Sequence, residues 1–324
     1  MKKKSVTVII SIIITIISFY ILFSIVDIKK LIISMKNINF EYFFIGVIFY
    51  LVTYIFRSLR FYVYLKEKKI KYLSILFITF LHQFYYRIMP IKTGEISFIY
   101  ILKKNNNVSI GESGVILLAI RVLEVIALGI IFLVSSIFIS NKEITLENIC
   151  VSIIVIAIFI LFLLFLPRII SIISNIAISL NKKNDNQILI KISNILNIME
   201  DKFHEVVASK VKLIEVLFLS LGLWLTLYFS MFFWIKALNI DFSFSKTIVG
   251  SLLAVLTTIL PVTGIGGFGT TEAGWAVGLT ILGMSNKDAI SSGIANNLFS
   301  FIIICVLGLI GHFLFFKADK MNQQ

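Results

Sequence analysis

Pro261-Val262-Thr263-Gly264-Ile265-Gly266-Gly267-Phe268-Gly269 interrupts a long apolar stretch, residues 246–285, and leads into Thr270, Thr271 and Glu272. Proline removes a backbone donor and glycine destabilises helix, so the stretch reads as two half-helices joined by irregular backbone. A second stretch, 72–102, is broken in the same way by Pro90-Ile91-Lys92-Thr93-Gly94. Three glycines within four residues, or a Pro and a Gly with charges beside them, exceed what a packing kink needs. Irregular backbone at bilayer depth persists only inside protein or beside water.

The rest of the chain supplies the bilayer. Of 324 residues, 59% are hydrophobic and 15% charged, and the mean hydropathy is +1.00. A soluble domain carries about 25% charged residues, and a globule of this size has too little interior to hide so many apolar side chains. Runs long enough to cross the roughly 30 Å hydrocarbon core lie at 6–26, 42–65, 112–139, 146–166, 212–237 and 289–316. The first follows Lys2-Lys3-Lys4. It is longer than a signal-peptide core and lacks a small-x-small exit, so it reads as a retained anchor. The expected fold is all-α and polytopic, with about six full spans, in one membrane domain over 1–324.

Charge distribution sets the expected orientation. The net charge is +13, but most basic residues sit in short links between apolar runs, where they fix topology and meet anionic lipid. No basic domain stands apart, so nucleic-acid binding is not expected. Segments 2–4, 57–71, 103–104, 168–212 and 317–320 hold 20 of the 30 Lys and Arg, whereas 27–41, 140–147, 236–246 and 285–288 hold 7. With the richer set inside, both termini are cytoplasmic. Stretch 72–102 then enters and leaves from the inside, and 246–285 from the outside. Both become re-entrant hairpins, and the halves 1–140 and 141–324 form an inverted repeat. Paired Gly/Pro-broken segments in matching positions point to a midplane transport site. Between the halves, 168–211 carries Ile169, Ile172, Ile173, Ile176, Ile188, Ile192, Ile195 and Ile198 at helical spacing. It reads as amphipathic helix on the cytoplasmic surface, or as a solvated connector.

A charge at bilayer depth costs about 3 kcal/mol on insertion scales. Arg57 and Arg60 end the second span, Arg87, Lys92 and Glu95 surround the first break, Arg121 and Glu124 sit within the 112–139 span, and Glu272 follows the second break. Five cations against three anions leave two positive charges in excess, a balance that suits an anionic headgroup. The plainer readings are snorkelling for Arg57 and Arg60, a pair on one helix for Arg121 and Glu124, and helix capping for Glu95 and Glu272. Gly264 through Gly269 formally matches GxGxxG. It does not follow a strand, so no dinucleotide site is expected. The weaker physics remains: the backbone at Gly264, Gly266, Gly267 and Gly269 can approach an anion, and Thr270-Thr271 opens a helix whose N-terminus favours negative charge. Trp224, Trp234, Tyr85 and Tyr86 read as interfacial belt or packing. His82, His204 and His312 lack metal-ligand spacing and Cys150 and Cys305 form no CxxC, so no metal, disulfide framework or cofactor is expected.

Three stretches, Pro90-Ile91-Lys92-Thr93-Gly94-Glu95, Arg121-Val122-Leu123-Glu124, and Pro261 through Gly269 to Glu272, resemble the transmembrane region of lysylphosphatidylglycerol synthases. This is a flippase-like membrane domain also found alone in many bacteria and archaea, and the likeness spans nearly the whole chain. The resemblance implies lipid handling, with Glu95, Arg121, Glu124 and Glu272 as polar lining. Two positions depart from the family pattern, which places arginines where this chain has Ser97-Phe98 and Asn296-Asn297. The sequence reaches Gln324 without a soluble acyltransferase domain, so lysyl transfer by this chain alone is not expected.

Three functions compete. A flippase or lipid-handling transporter for an anionic, aminoacylated or lipid-linked headgroup fits the paired breaks and the buried charges. A membrane enzyme, such as a phosphatidylglycerol lysyltransferase or a lipid-linked glycosyl transferase, could use Glu95 or Glu272 as a base. No DxD, GxSxG or P-loop supports it, and no catalytic residue is assigned. A partner subunit for a separate lipid-modifying enzyme would not need eight charges at membrane depth. The expected location is the cell membrane, and the expected partner is a phospholipid or lipid-linked substrate.

Overall fold

A computed structural model describes residues 37–89, 94–139, 146–184, 187–257 and 269–322, though not every side chain in the longer helices. Among the described residues there is no strand. The helices are α1 (Phe40–Leu65), α2 (Tyr72–Ile88), α3 (Gly94–Asn106), α4 (Ile110–Ile137), α5 (Leu146–Asn184), α6 (Gln187–Ala208), α7 (Lys210–Ala237), α8 (Phe244–Thr257), α9 (Thr270–Ile281) and α10 (Asn286–Asn322). Among the described residues, four stretches are long and apolar enough to cross a membrane: Phe40–Lys68, Ile110–Ile137, Lys210–Ala237 and Asn286–Leu314. They coincide with four of the expected spans. The run at 6–26 lies outside the described residues, and 146–166 forms the first part of α5.

Local chemistry explains the helix boundaries. Asn39 caps α1, its side chain accepting from the backbone N–H groups of Glu41 and Tyr42 at 3.0 and 3.3 Å. Ser109 caps α4 by accepting from the Glu112 N–H at 3.1 Å. Before α10, Ser285 accepts from the Asp288 N–H and donates to its carboxylate. Each satisfies backbone donors that a helix start leaves free. Both broken stretches divide as the sequence requires, α2 from α3 and α8 from α9. The packing at Gly94 fixes the first turn, because a Cβ there would fall on the backbone of Tyr86.

The packing scheme repeats itself. α1 lies along α7, with Gly46 against Trp234 and Gly222 against Phe56. The Asn39 N–H also donates to the carbonyl of Ala237 at 2.8 Å. The hairpin α2–α3 joins the second-half helix α10 through α2, and the hairpin α8–α9 joins the first-half helix α4 through α8. Helix α1 thus pairs with α7, and each broken pair reaches a helix of the other half of the chain.

α5 and α6 stand outside that repeat. α5 runs through Pro167 without ending, where the sequence suggested separate elements at 146–166 and 168–211. Leu166 and Ile170 are buried beside the proline, so packing retains the helix although one backbone bond is lost. Ser174 donates to the side chain of Asn197, tying α5 to α6. Ile169, Ile172, Ile173, Ile176, Ile192 and Ile198 are exposed, while Ile170, Ser174, Ser193, Phe203 and Val206 face the protein. The isoleucine stripe thus points outward. Where α6 reaches the start of α4, Glu112 meets Lys68 at 3.1 Å and Lys202 at 3.9 Å. A hydrogen bond to Glu205, aided by Glu112, raises the proton affinity of Lys202 above that of an ordinary lysine.

Candidate functional site

The charged residues of α1, α3 and α4 form one chain of contacts. Glu124 sits between two arginines, with Arg60 of α1 at 2.7 Å from one carboxylate oxygen and Arg121 at 2.7 Å from the other. Arg121 continues to Glu95 of α3, donating through Nη2 at 2.9 Å and Nε at 3.2 Å to the same oxygen. Its guanidinium also lies 5.5 Å from the centre of the Tyr86 ring on α2, a favourable cation–π geometry. Arg60 donates once more to Ser220 of α7 at 3.3 Å. Four helices of the first half and one of the second therefore meet on this chain.

Burial separates its members. Arg60 is 1% exposed and Glu124 6%, whereas the side chains of Arg121 and Glu95 are about a third exposed. Arg60 does not snorkel. The same-helix pairing expected for Arg121 and Glu124 exists, and it is half of a three-helix arrangement. A small cleft, with room for about one water, opens beside it, lined by Arg57, Arg60, His82, Gln83, Arg121 and Glu124 among others. His82 is 1% exposed, packed edge-on to Phe61 and beside Phe98. Its Nδ1 faces Gln83 Nε2 at 3.3 Å, and its Nε2 has no hydrogen-bond partner among the described residues. Buried polar atoms are normally satisfied, so this unpartnered nitrogen of a residue in the cleft wall is a place for a water.

Arg57 and Arg87 stand apart from the ion-paired chain. Neither has a carboxylate within ion-pair distance among the described residues, and the Nε of each is buried without a hydrogen-bond partner. Arg57 lies 5.9 Å from the centre of the Tyr54 ring. Arg87, in the last turn of α2, is within electrostatic range of Tyr50, Tyr54 and Glu272.

Glu272 occupies a different place. It is 1% exposed and accepts from the Gly269 N–H at 2.7 Å and from Asn297 Nδ2 of α10 at 2.5 Å. This is half of a capping box, since Gly269, at φ 87, has no side chain to return the bond. Positive φ costs glycine nothing and other residues much. Glu272 therefore fastens the α9 start to α10. Asn297 here supplies an amide donor. Thr270 and Thr271 open α9 beside it. Lys92, Gly264, Gly266 and Gly267 lie outside the described residues.

Sequence reading did not place Tyr50, Tyr54, His82 or Gln83 at the site, named Asn297 only as a departure from the family pattern, and took Tyr86 for interfacial belt or packing. Two signals were present. Tyr50, Tyr54, Arg57 and Phe61 fall at i, i+4, i+7 and i+11 on α1, a single helix face, and His82 and Tyr86 are four apart on α2.

Comparison with known proteins supports one assignment. The profile of the family described as lysylphosphatidylglycerol synthase TM region matches residues 8–308, and the chain belongs to that family. No curated protein and no solved structure matches it significantly.

Proposed function

We propose that this family member moves or holds a polar lipid headgroup within the cell membrane. It would do so with six full spans, two re-entrant hairpins and both termini on the cytoplasmic side. The observation that carries the reading is the Arg60–Glu124–Arg121–Glu95 chain. It joins the first hairpin to the spans at a polar cleft, inside a bundle whose outer surface is apolar. Ionisable groups placed so within a membrane domain mark substrate pathways by default. The exchange of broken hairpins between halves suits a headgroup that passes between them by rocking, while acyl chains stay in lipid. The outward isoleucines of α5 and α6 would rest against the cytoplasmic leaflet.

Transport is tested in liposomes holding the purified protein, by following a fluorescent phosphatidylglycerol between leaflets. The expected rate exceeds that of empty liposomes, and Glu95→Gln with Glu272→Gln should slow it by at least about tenfold. Equal rates in protein-containing and empty liposomes would remove the translocase reading. The hairpin layout is tested with single cysteines in a background lacking Cys150 and Cys305. Lys71→Cys and Lys103→Cys should react with an impermeant maleimide from the cytoplasmic face, and Ser243→Cys and Ser285→Cys from the opposite one. Labelling of positions 71 and 103 from opposite faces would turn the first hairpin into a single broken crossing.

The family description, which names the membrane region of a synthase, favours one second reading, that of a membrane component in headgroup transfer, either as the enzyme or as the partner of a separate lipid-modifying enzyme. Headgroup transfer by the purified protein, given donor and phosphatidylglycerol, would favour the enzyme.

A further inference from the structure

We propose that Arg57 and Arg87, with the phenols of Tyr50 and Tyr54, form the subsite for the phosphate of an anionic lipid, while the Arg60–Glu124–Arg121–Glu95 chain is the strut that holds the pathway in shape around it. This rests on the headgroup reading above and assigns the charges different work within it.

Glu124 neutralises Arg60 on one oxygen and Arg121 on the other, and Arg121 has Glu95 as a second anion. Those donors are committed. Arg57 and Arg87 have no carboxylate within ion-pair distance among the described residues, and each keeps a buried, unpartnered Nε–H. A partly buried cation without an anion is costly unless a ligand supplies the charge. Both arginines act electrostatically on the same two tyrosines, and the Arg57 guanidinium lies 5.9 Å from the centre of the Tyr54 ring. Tyr50 is 7% exposed and Tyr54 4%. Their rings meet edge to face with centroids 5.9 Å apart, and the Tyr50 hydroxyl neighbours those of Tyr54 and Ser300.

Other charges face this place. Arg60 and Glu124 approach Arg57, but they are bound to each other. Glu272 approaches Arg87, and its carboxylate is held by the Gly269 N–H and Asn297 at the positive end of α9. What remains is two guanidiniums without an anionic partner among the described residues, each close enough to act on both phenols. A phosphodiester offers two unsubstituted oxygens and a single negative charge, which guanidiniums and hydroxyls bind through several parallel hydrogen bonds. Phosphatidylglycerol and free phosphate share that chemistry, and the wall of apolar helices favours the lipid.

The test uses the full-length protein in detergent, with phosphatidylglycerol, inorganic phosphate and diacylglycerol as separate probes. Phosphatidylglycerol is expected to bind, diacylglycerol to bind at least about tenfold more weakly, and Arg57→Gln and Arg87→Gln each to weaken phosphatidylglycerol binding by at least about tenfold. Lys236→Gln, in an exposed pair with Asp241, should leave binding unchanged. Phenylglyoxal modification of the unmutated protein, mapped by mass spectrometry, gives a readout free of folding effects. Phosphatidylglycerol should protect Arg57 and Arg87 severalfold and leave Arg60 as it was. Unprotected arginines, or both Gln variants binding at the unmutated affinity, overturn the subsite. Binding of inorganic phosphate without phosphatidylglycerol overturns the lipid assignment. Absent transport with intact, arginine-dependent binding would remove the translocase reading and leave this subsite standing.

Discussion

Replacing Glu124 by Gln should be the most damaging single change to the charge cluster. Arg60 is 1% exposed and, among the described residues, has Ser220 as its other partner, at 3.3 Å. Removing one member of a buried ion pair leaves an uncompensated charge and costs about 3–5 kcal/mol. Here the substitution strands Arg60 within electrostatic range of Arg121, which itself keeps Glu95. A melting curve in detergent should fall by roughly 10 °C. Glu95→Gln should do much less, because Glu95 and Arg121 are both about a third exposed, and partly solvated pairs contribute about 0–1 kcal/mol. The combination of Arg60→Met with Glu124→Met should recover most of the loss. Exchanging a whole buried pair for apolar side chains is often neutral, and Arg121 retains Glu95. If Glu124→Gln melts with the unmutated protein, the strut is not a strut, and Glu124 is free for substrate.

How much of this was legible in the sequence depends on the range of the interaction. The breaks at Pro90–Gly94 and Pro261–Gly269 divide two helix pairs because proline and glycine act on their own residues. The Ser109 cap and the Arg121–Glu124 pair are equally local and could be read three residues apart. The partner of Arg60 could not. Arg57 and Arg60 lie close on the α1 surface, and nothing along the chain says which meets α4 and which is left beside Tyr54. That choice is made by how α1 seats on α7, where Gly46 admits Trp234 and Gly222 admits Phe56. The same limit explains α5. Pro167 reads as a boundary, yet buried neighbours Leu166 and Ile170 carry the helix to Asn184. It explains Glu272 as well, since a carboxylate after a broken segment fits capping and substrate contact alike, and only Asn297, reached through the fold, shows that both its oxygens are engaged.

Gly278→Leu should be the most damaging substitution outside the charges. The α8–α9 hairpin closes on a seam of glycines, Gly250 on α8 against Gly274 and Gly278 on α9. A Cβ on Gly278 would fall on the Gly250 carbonyl, and one on Gly274 would lie 2.8 Å from the carbonyl of Leu253. These obstacles are backbone, which cannot swing aside as a side chain can, so the two helices must part. Small residues four apart let membrane helices approach to backbone contact, and parting them forfeits dispersion along the whole interface. Gly278→Ala should cost about 1–3 kcal/mol, and Gly278→Leu more. The tip of this hairpin carries the Gly269–Glu272 cap, so the cap should move with the seam. Cysteines placed at Glu272 and Asn297 on an unmutated seam should crosslink readily, and crosslinking should fall once Gly278 is replaced by leucine. Gly114 is the internal comparison. Its nearest foreign atom to an added Cβ is Met199 Cε at 3.8 Å. Gly114→Ala should therefore be neutral, or stabilising by up to about 1 kcal/mol through helix propensity. Should Gly278→Ala and Gly114→Ala melt alike, α8 and α9 do not meet through their backbones, and the hairpin is held by its ends instead.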